Sequence, residues 1–549
     1  MPRRPHRQPA TLALLTGTPL LFGLLALWLG LDANWDLRNY HYYNAYAFLN
    51  DRWGWDILPS QSPSFYNPTL DLPYYWLVEN LPAQTVGFIL GAVQGLNFIP
   101  LFLLAYSLLA IDDLRRRWLA AAGLALAGML GADTVSEYGT VFHDNLVSIG
   151  INGAAAIVVC QWSRLGAPGR GWIGPAALAG LSMGLAFGLK QNTVIFAIGG
   201  CFAFLLVPGP FWRRFWLSFV YGLGVLAGLG IGGGHWMWYL WQHYGNPLFP
   251  YYNHIFQSPW GLLRDYRDPG FLPQGFDLWE VLSFPFRFSF DYRITTEVPF
   301  RDFRVLAAYV LLPLAGLAAL LRRLRRSPAP EPLTQPGASA YLMVFAALSY
   351  GLWLYMFRIY RYLIPLEMLA PILIVAALGR LPLPRARAAK TALVLVTLIV
   401  LTTQPADWGR VPWSAKAIEV GVPQIAAPEH TLVLMAGHEP YSYLLPAFPP
   451  QLRFVRIDSN FTNIHERNVA FNPLMQRIVA EHRGPLAVLY AAHEVRDVRR
   501  KLQEYGLALT ATACQNVPAN LAGDVVYLYC PVFRQGEPVY PIAHEEQPQ

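Results

Sequence analysis

Long apolar runs separated by short polar connections dominate the pattern of this chain. A helix needs roughly 20 mostly apolar residues to cross a bilayer core of about 30 Å, because unpaired backbone groups are too costly in hydrocarbon. About eleven runs approach this requirement, and several of them are short and rich in glycine. The pattern therefore predicts a mainly α-helical, polytopic membrane protein with spans at Ala10–Leu31, Gln84–Ala110, Trp118–Ala132, Leu146–Trp162, Trp172–Leu189, Thr193–Val207, Phe215–Trp241, Val305–Leu321, Ala338–Met356, Leu363–Leu378 and Thr391–Thr403.

The polar remainder lies mainly in the loops 32–83 and 242–304 and in a tail that follows the last run. Strand-like and helical patterns alternate in the tail, which is typical of a small α/β domain. We therefore expect a membrane module of residues 1–404 and a soluble domain of residues 405–549. The predicted strands of the tail are Thr431–Met435, Leu452–Ile457, Leu486–Tyr490, Leu507–Ala513 and Asp524–Tyr529, and its predicted helices are His465–His482 and Glu494–Tyr505.

Basic residues are concentrated in every second short connection, whereas the intervening connection Asp133–Asn145 has no Lys or Arg. Lys and Arg favour the cytoplasmic side of a membrane, so the N-terminus is expected there and the tail outside. This orientation fits a bacterial inner (cytoplasmic) membrane with the tail in the periplasm. The first apolar run is too long for a cleaved signal peptide and is interpreted as an uncleaved span. The basic connections contain Arg3, Arg4, Arg7, Arg115 to Arg117, Arg164, Arg170, Arg213, Arg214, Arg322, Arg323, Arg325, Arg326, Arg380, Arg385, Arg387 and Lys390.

Composition supports the same class of protein. Hydrophobic residues make up 54% of the 549 positions and charged residues only 14%, whereas soluble domains have about a quarter charged residues. The net charge of +7 comes from the Arg-rich turns and does not form one basic face, so we expect no nucleic-acid partner. Walker loops, HExxH and CxxC motifs are absent.

Cysteine positions point to an oxidising compartment for the tail. Cys160 and Cys201 lie in apolar runs and are expected to be packing residues, whereas Cys514 and Cys530 lie on neighbouring predicted strands. A disulfide between the two tail cysteines would contribute about 3 kcal/mol by the chain-entropy model. Two free thiols are the alternative.

Two carboxylates follow the first predicted span within the sequence Asp32-Ala-Asn-Trp-Asp36. If the span's helix continues, both lie on one face at the membrane surface, where partial desolvation raises a carboxyl pKa and suits it to general-base work. Asp36 is the candidate base, and Asp32, Tyr40 and His41 are candidate substrate-binding residues. The alternative is an ordinary interfacial helix start, where acidic and aromatic residues are common.

A second polar cluster, His143-Asp144-Asn145, precedes the fourth predicted span. We consider Asp144 a candidate catalytic residue and His143 a candidate substrate ligand. The alternative is a plain N-cap, since Asp or Asn before an apolar run satisfies free backbone N–H groups.

Cations on the outer side break the positive-inside trend. Lys190 interrupts an apolar stretch, and Arg358 and Arg361 lie between the ninth and tenth predicted spans. A cation at such a place is costly unless it faces a cavity or a partner, although a lysine can also extend to the interface. All three are candidate ligands for a lipid phosphate.

The order of these elements resembles the GT-C superfamily of integral-membrane glycosyltransferases, which includes protein O-mannosyltransferases and the lipid A aminoarabinose transferase. The resemblance covers the first seven predicted spans best. Asp36 matches the acidic residue after the first span, Asp144 matches the one before the fourth, and Gly184–Lys190 matches a Gly-rich element that ends in lysine. Gln191 departs from the small residue that often follows, and the Trp-Trp-Asp signature of oligosaccharyltransferases is absent.

The resemblance implies a polyprenyl-phosphate sugar as donor and a lipid, glycan or protein acceptor. It implies an inverting displacement in which Asp36 accepts the proton of the acceptor hydroxyl while Lys190 and Arg361 stabilise the departing lipid phosphate. No cofactor is required by the sequence, and a divalent metal is left open.

Two other functions are compatible with parts of the pattern. A flippase or transporter of lipid-linked sugars would predict inverted repeats, which this sequence lacks. A polysaccharide polymerase or ligase of another fold would place paired arginines in a large late outer loop, where this chain has Arg287, Arg293, Arg301 and Arg304.

Overall fold

The fold was obtained as a computed structural model that describes residues 9–205, 209–273, 275, 277–328, 330–462, 464–466, 468–510 and 513–535. The described residues are mostly helical. In chain order their helices are α1 Pro9–Leu29, α2 Tyr42–Leu49, α3 Asp71–Asn80, α4 Ala83–Gly95, α5 Phe98–Leu108, α6 Leu114–Met129, α7 Ala132–Ser136, α8 Asp144–Cys160, α9 Trp162–Gly166, α10 Ile173–Leu189, α11 Val194–Leu205, α12 Phe211–Tyr244, α13 Asn253–Phe256, α14 Leu278–Phe290, α15 Arg304–Arg325, α16 Pro336–Met356, α17 Ile364–Leu378, α18 Arg385–Thr402, α19 Phe471–Glu481 and α20 Val495–Glu504.

Strands are short and lie mainly near the C-terminus. They are β1 Leu31–Asp32, β2 Arg410–Val411, β3 Leu432–Met435, β4 Arg453–Arg456, β5 Leu486–Ala491, β6 Leu507–Leu509, β7 Gln515–Asn516 and β8 Tyr527–Arg534.

The chain divides into two compact units, each built from three segments. Unit 1 comprises Met1–Asp32, Pro82–Tyr239 and Tyr266–Trp413, and unit 2 comprises Ala33–Leu81, Leu240–Asp265 and Ser414–Gln549. The expected division into residues 1–404 and 405–549 therefore describes the fold incompletely. Most of the first outer loop and part of the second belong to the same unit as the tail, because their buried side chains pack there.

Six helical segments among the described residues are long and apolar enough to cross a membrane. They are Pro9–Leu29, Ala83–Leu108, Phe211–Tyr244, Arg304–Arg325, Pro336–Met356 and Tyr360–Leu378. The other predicted spans are also helical but shorter or less apolar, with α8 and α10 of 17 residues and α11 of 12. Each of the eleven predicted runs thus overlaps a helix, with Gln84–Ala110 corresponding to both α4 and α5, and positions 206 and 207 of the predicted Thr193–Val207 lie outside the described residues. Six of the runs contain a helical segment with the length and composition of a span.

Helices α10 and α12 of unit 1 approach each other backbone to backbone through glycines. A Cβ placed on Gly184 would lie 2.1 Å from the carbonyl oxygen of Val225, and a Cβ on Gly228 would lie 2.5 Å from that of Leu181. Such distances exclude any side chain larger than hydrogen at both positions. Small residues at a helix contact let dispersion and close packing hold apolar helices together without water as a driving force.

Helix α17 is the most buried helix of unit 1. All of its residues from Ile364 to Leu378 are buried, and it packs against α6, α8, α15, α16 and α18. A helix that is apolar on every face is stable only when neighbours surround it. One carboxylate, Glu367, interrupts this apolar surface near the start of the helix.

The chain leaves the first apolar helix differently from our expectation. Helix α1 ends at Leu29, Gly30 adopts a left-handed φ of 101°, and Leu31 and Asp32 form strand β1 with Val411 and Arg410. The helix does not continue, so the expected common helical face of Asp32 and Asp36 is wrong. The two carboxylates also fall in different units.

Unit 2 contains the predicted α/β arrangement. Its sheet has the strand order β4-β3-β5-β8-β6, with β7 paired to β8. Strands β3, β4 and β5 are parallel, and β8 runs antiparallel to β5 and β6. Four predicted strands match observed ones approximately, although positions 511 and 512 of the predicted Leu507–Ala513 lie outside the described residues. The fifth prediction ended too early, because the strand runs from Tyr527 to Arg534.

The first outer loop supplies part of this unit. The N–H of Ile57 donates to the carbonyl of Phe454 at 2.8 Å, and the N–H of Arg456 donates to Ile57 at 2.9 Å, so the loop extends the sheet beside β4. Arg52 pairs with Asp56 at 2.8 Å and donates to the carbonyls of Pro450 and Leu452. Pairing of an exposed strand edge in this way satisfies backbone groups that would otherwise need water.

The predicted disulfide of the tail is confirmed. Cys514 and Cys530 are bonded, and Cys514 immediately precedes β7, which pairs with β8. Cys160 and Cys201 are free thiols on α8 and α11, as expected for packing residues.

Candidate functional site

The clearest convergence of charged side chains in unit 1 lies where α8 begins and α10 ends. Nζ of Lys190 lies 2.6 Å from Oδ2 of Asp144, and the two side chains are 21% and 4% exposed. Lys190 also donates to the carbonyl oxygen of Phe142 at 2.5 Å. Two of the three ammonium N–H donors are therefore used by these acceptors.

Arg361 joins the same carboxylate from the segment that precedes α17. Its Nε lies 3.6 Å from Oδ2 of Asp144. The guanidinium carbon lies 4.0 Å from the ring centre of Phe142 and 5.4 Å from that of Trp408. Aromatic faces stabilise a cation without neutralising it. We call Asp144, Lys190 and Arg361 the cation pair site.

Local backbone geometry fixes the start of α8 at this site. His143, the residue before the helix, has a left-handed φ of 68°. Glu137 accepts a hydrogen bond from the N–H of Asn145 at 3.1 Å, and the Asn145 amide donates to the carbonyl of Thr134 at 2.9 Å. Because these bonds hold the first turn from both sides, the Asp144 carboxylate has little freedom to leave its two cations.

A second group of buried carboxylates surrounds the short helix α7. Glu367 accepts hydrogen bonds from the N–H and hydroxyl of Thr134 at 2.9 and 2.6 Å, and Asp302 accepts from the N–H of Ala132 at 3.0 Å. A Cβ on Gly131 would lie 1.8 Å from the Glu367 carboxylate, so only glycine permits this approach. Carboxylates at a helix N-terminus are stabilised by its free N–H groups.

Two further acids near the cation pair site are fully buried. Burial, reinforced by the charge of Glu367, raises the pKa of Asp133 well above its usual range, and burial with the charge of Asp144 does the same for Glu137. Among the described residues, neither carboxyl oxygen of Asp133 has a hydrogen-bond partner. Burial, together with the charge of Lys190, lowers the pKa of His143 to about 3. The imidazole of His143 is therefore neutral near pH 7.

Sequence reasoning did not single out Asp133, Asp302 or Glu367. Glu367 offered one signal, a lone carboxylate in an otherwise apolar run, which is expensive in a membrane and is therefore a functional hypothesis by default.

The two candidate carboxylates of the first outer loop have separate surroundings. Asp32 is buried in unit 1 and accepts a hydrogen bond from the N–H of Val141 at 3.1 Å. Asp36 is partly exposed in unit 2 and accepts a hydrogen bond from the Tyr40 hydroxyl at 3.2 Å. Asp32 is therefore shielded from solvent, whereas Asp36 retains partial access to it.

His41, the remaining candidate of that loop, is buried beside an acid. Its Nδ1 lies 2.7 Å from the Asp71 carboxylate, and both side chains are less than 5% exposed. Imidazole and carboxylate are both common zinc ligands. The pair orients the His41 ring.

Arg358 interacts with residues that do not belong to the cation pair site. Its guanidinium pairs with Glu280 of α14 and lies 4.7 Å from the ring centre of Phe284. Arg358, a candidate ligand for a lipid phosphate, thus has a carboxylate partner of its own on α14.

Comparisons with protein-family models, curated proteins and solved structures give no match. The function of the chain has to be argued from its own residues.

Proposed function

We propose that this chain is a membrane glycosyltransferase of the GT-C kind that uses a polyprenyl-phosphate sugar as donor. The observation that carries the proposal is the convergence of Lys190 and Arg361 on one buried carboxylate. Two cations held in a largely buried place form a site for the oxyanion of a phosphodiester or phosphomonoester.

The reaction follows from this assignment. The acceptor hydroxyl gives its proton to the carboxylate of Asp36 as its oxygen bonds to the anomeric carbon of the donor. The bond between that carbon and the phosphate oxygen breaks with inversion, and its electron pair leaves with the lipid phosphate. Lys190 and Arg361 stabilise the charge that develops on the leaving group. Asp144 holds both cations in position between turnovers.

The assignment of the base rests on its place in the sequence, directly after the first apolar helix. Its partial exposure and its hydrogen bond from Tyr40 are compatible with proton acceptance. Within the same proposal, the protein has eleven spans, lies in a bacterial inner membrane and carries out transfer on the periplasmic side to a lipid, glycan or protein acceptor.

The arginines of the second large outer loop give little support to the alternative function, a polysaccharide polymerase or ligase. Arg304 is buried and donates to the carbonyls of Ala127 and Leu130 at the end of α6, and Arg301 donates to the carbonyl of Thr402. Arginines engaged in this way stabilise helix ends. A flippase would use the same anion site without transferring the sugar.

Binding of the leaving group tests the proposal without knowledge of the acceptor. Purified protein is titrated with undecaprenyl phosphate and, separately, with undecaprenol, and binding is followed by native mass spectrometry. We expect Lys190→Ala and Arg361→Ala to weaken binding of the phosphate at least tenfold and to leave undecaprenol unchanged. Lys390→Ala, which removes an exposed lysine at the start of α18, is the control.

Equal affinity of the parent for the two lipids would overturn the anion site. Donor turnover then distinguishes a glycosyltransferase from a flippase. In Lys190→Ala, turnover of the donor should fall far more than the expression level does. A parent protein that binds the phosphate but transfers no sugar in membranes containing the natural acceptors would favour the flippase.

A further inference from the structure

A polar cavity of about 520 Å³ lies within unit 2, and the proposed function assigns it no role. Its size is that of ordinary small-molecule sites. Three segments line it: the loop helices α2 and α3, the chain at 415–420, and the turn that contains Tyr443. The lining includes Tyr42, Glu79, Lys416, Ile418, Glu419 and Tyr443.

Part of the cavity lining consists of tyrosines and an acid. Tyr42 and Tyr443 are almost completely buried, and the hydroxyl of Tyr42 donates to Glu79 at 2.5 Å. The ring of Tyr42 packs against that of Tyr75 with 5.2 Å between their centres. Burial and this hydrogen bond raise the pKa of the Tyr42 hydroxyl, which therefore stays protonated and donates to Glu79.

The wall formed by residues 415–420 is held in shape by the side chain of Asn520. The Asn520 amide donates to the hydroxyl of Ser414 at 2.7 Å and to the carbonyl of Ala417 at 3.1 Å, and its oxygen accepts from the N–H of Glu419 at 2.9 Å. Glu419 in turn accepts from the backbone N–H of Lys416 at 2.8 Å. A loop fixed by several hydrogen bonds loses little entropy when a ligand binds, which favours affinity.

The charges of the lining select a ligand class. Two carboxylates and one ammonium give the cavity a net negative charge, and apolar side chains such as Val78 and Ile418 lie between the polar groups. A sugar ring matches this lining. Its edge hydroxyls can bond to the carboxylates and phenol groups, and the C–H groups on its faces can pack against the apolar side chains. An acidic ligand would face two carboxylates at short range, which is costly.

We propose that this cavity binds the saccharide portion of the acceptor, and that it accepts neutral and amino sugars and rejects sugars with carboxylates. That the bound saccharide belongs to the acceptor rests on the proposed function, whereas the binding of a saccharide in this cavity does not. Glu79 and Glu419 accept hydrogen bonds from hydroxyl or ammonium groups of the sugar, and the fixed 415–420 wall determines which rings fit.

The test uses the full chain in detergent, without donor, and three disaccharides of similar size. They are chitobiose with two free amines, neutral N,N′-diacetylchitobiose and anionic digalacturonic acid, and binding is measured by saturation-transfer NMR and calorimetry. We expect the first two to bind and the third to bind at least tenfold more weakly. The double variant Glu79→Gln/Glu419→Gln should lose at least tenfold affinity for chitobiose, whereas Glu429→Gln, an exposed acid outside the cavity, should bind as the parent does.

Failure of this inference and failure of the proposed function give different results. No binding of any disaccharide, a preference for the acidic one, or unchanged binding by the double variant overturns the cavity assignment even if donor transfer is normal. Conversely, saccharide binding that persists in Lys190→Ala, combined with no transfer by the parent protein, leaves the cavity in place and removes the glycosyltransferase.

Discussion

Lys190 and Asp144 form an ion pair of 2.6 Å that joins the end of α10 to the start of α8. The carboxylate is nearly inaccessible, and the ammonium is about one fifth exposed. Arg361 lies 3.6 Å from the same oxygen, so one negative charge faces two positive charges. This imbalance leaves attraction for a second anion, which a neutralised pair would lack.

The ion pair makes a prediction about stability. Breaking a buried pair by removing one partner usually costs about 3–5 kcal/mol, and the partial exposure of Lys190 places this pair at or below about 3 kcal/mol. We expect Lys190→Met and Asp144→Asn each to lower the thermal midpoint of the protein in detergent. The double variant should lose less than the sum, because neither charge is then left unpaired. Strictly additive losses would mean that the two side chains do not stabilise each other.

Topology can be tested with reporter fusions. If eleven spans start from a cytoplasmic N-terminus, a reporter fused after Thr403 is active only outside the cytoplasm and one fused after Arg326 is active only inside. Six helical segments already meet the length and composition of a span, and the other five helices at predicted spans, α6, α8, α10, α11 and α18, decide whether the count reaches eleven. The opposite activity pattern at either site would exclude this arrangement.

The disulfide predicts a measurable contribution of the tail to stability. Cys514 and Cys530 are separated by 16 positions, and closing a loop of about 15 residues is worth about 3 kcal/mol in the chain-entropy model. Mass analysis of non-reduced peptides should link the two cysteines. Cys514→Ser/Cys530→Ser should unfold at lower denaturant concentration, and Cys201→Ser serves as the control. Free thiols at both positions in protein prepared without reductant would contradict the assignment.

Asp302 predicts a pH dependence of stability. Burial, opposed by Arg304 and reinforced by Glu367, raises its pKa to about 7 in the folded protein, against 3.8 for the free side chain. Because the folded state holds this proton more tightly, the stability it contributes is complete below about pH 4 and is lost as the pH rises through about 7. The thermal midpoint should therefore fall as the pH rises from about 4 to about 7, and the last part of that fall should be measurable between pH 6.5 and 7.5.

Asp302→Asn provides the matched control for that slope. The amide cannot titrate, but its oxygen can still accept the hydrogen bond from the N–H of Ala132. Measurements above pH 6.5 avoid His143, whose lowered pKa has the opposite effect and acts between about pH 3 and 6.5. If the variant shows the same fall in midpoint as the parent, Asp302 is not the titrating group.

Local pattern predicted the long apolar helices and the approximate positions of the tail strands, because both depend on periodicity within a short stretch. It missed α2, α3 and α14 and began the helix at α19 six residues too early. It also placed Lys190, Arg361 and Asp144 on one side of the membrane, and these three residues meet. It did not predict that Glu367 holds Thr134, which lies 233 positions earlier, because such a contact depends on how α17 packs and not on any neighbouring residue.

The same limit explains the error in the first loop. A continued helix after Leu29 was a reasonable extrapolation of an apolar pattern. Gly30 and the pairing of Leu31 with Val411 end it, and the partner strand is about 380 positions away in the chain. The composition of unit 2 from three separate segments was unpredictable for the same reason: each segment is incomplete until the others cover its apolar side chains.

The decisive prediction concerns Asp36. If Asp36 is the general base, Asp36→Asn should lower turnover of a polyprenyl-phosphate sugar by about 10²–10⁴-fold, because the amide cannot accept the proton of the acceptor hydroxyl. The variant should fold, since the amide oxygen can still accept the hydrogen bond from Tyr40 and the side chain is partly exposed. Asp32→Asn is the internal control: its amide oxygen can still accept from the N–H of Val141, so turnover should fall less.

Transfer is measured in membranes that supply the acceptor, and circular dichroism verifies folding. A folded Asp36→Asn protein with near-normal transfer would remove the base from this position, and so would loss of activity in Asp32→Asn alone. Tyr40→Phe completes the set, because loss of its hydroxyl leaves the carboxylate in place and should reduce the rate by much less than Asp36→Asn does.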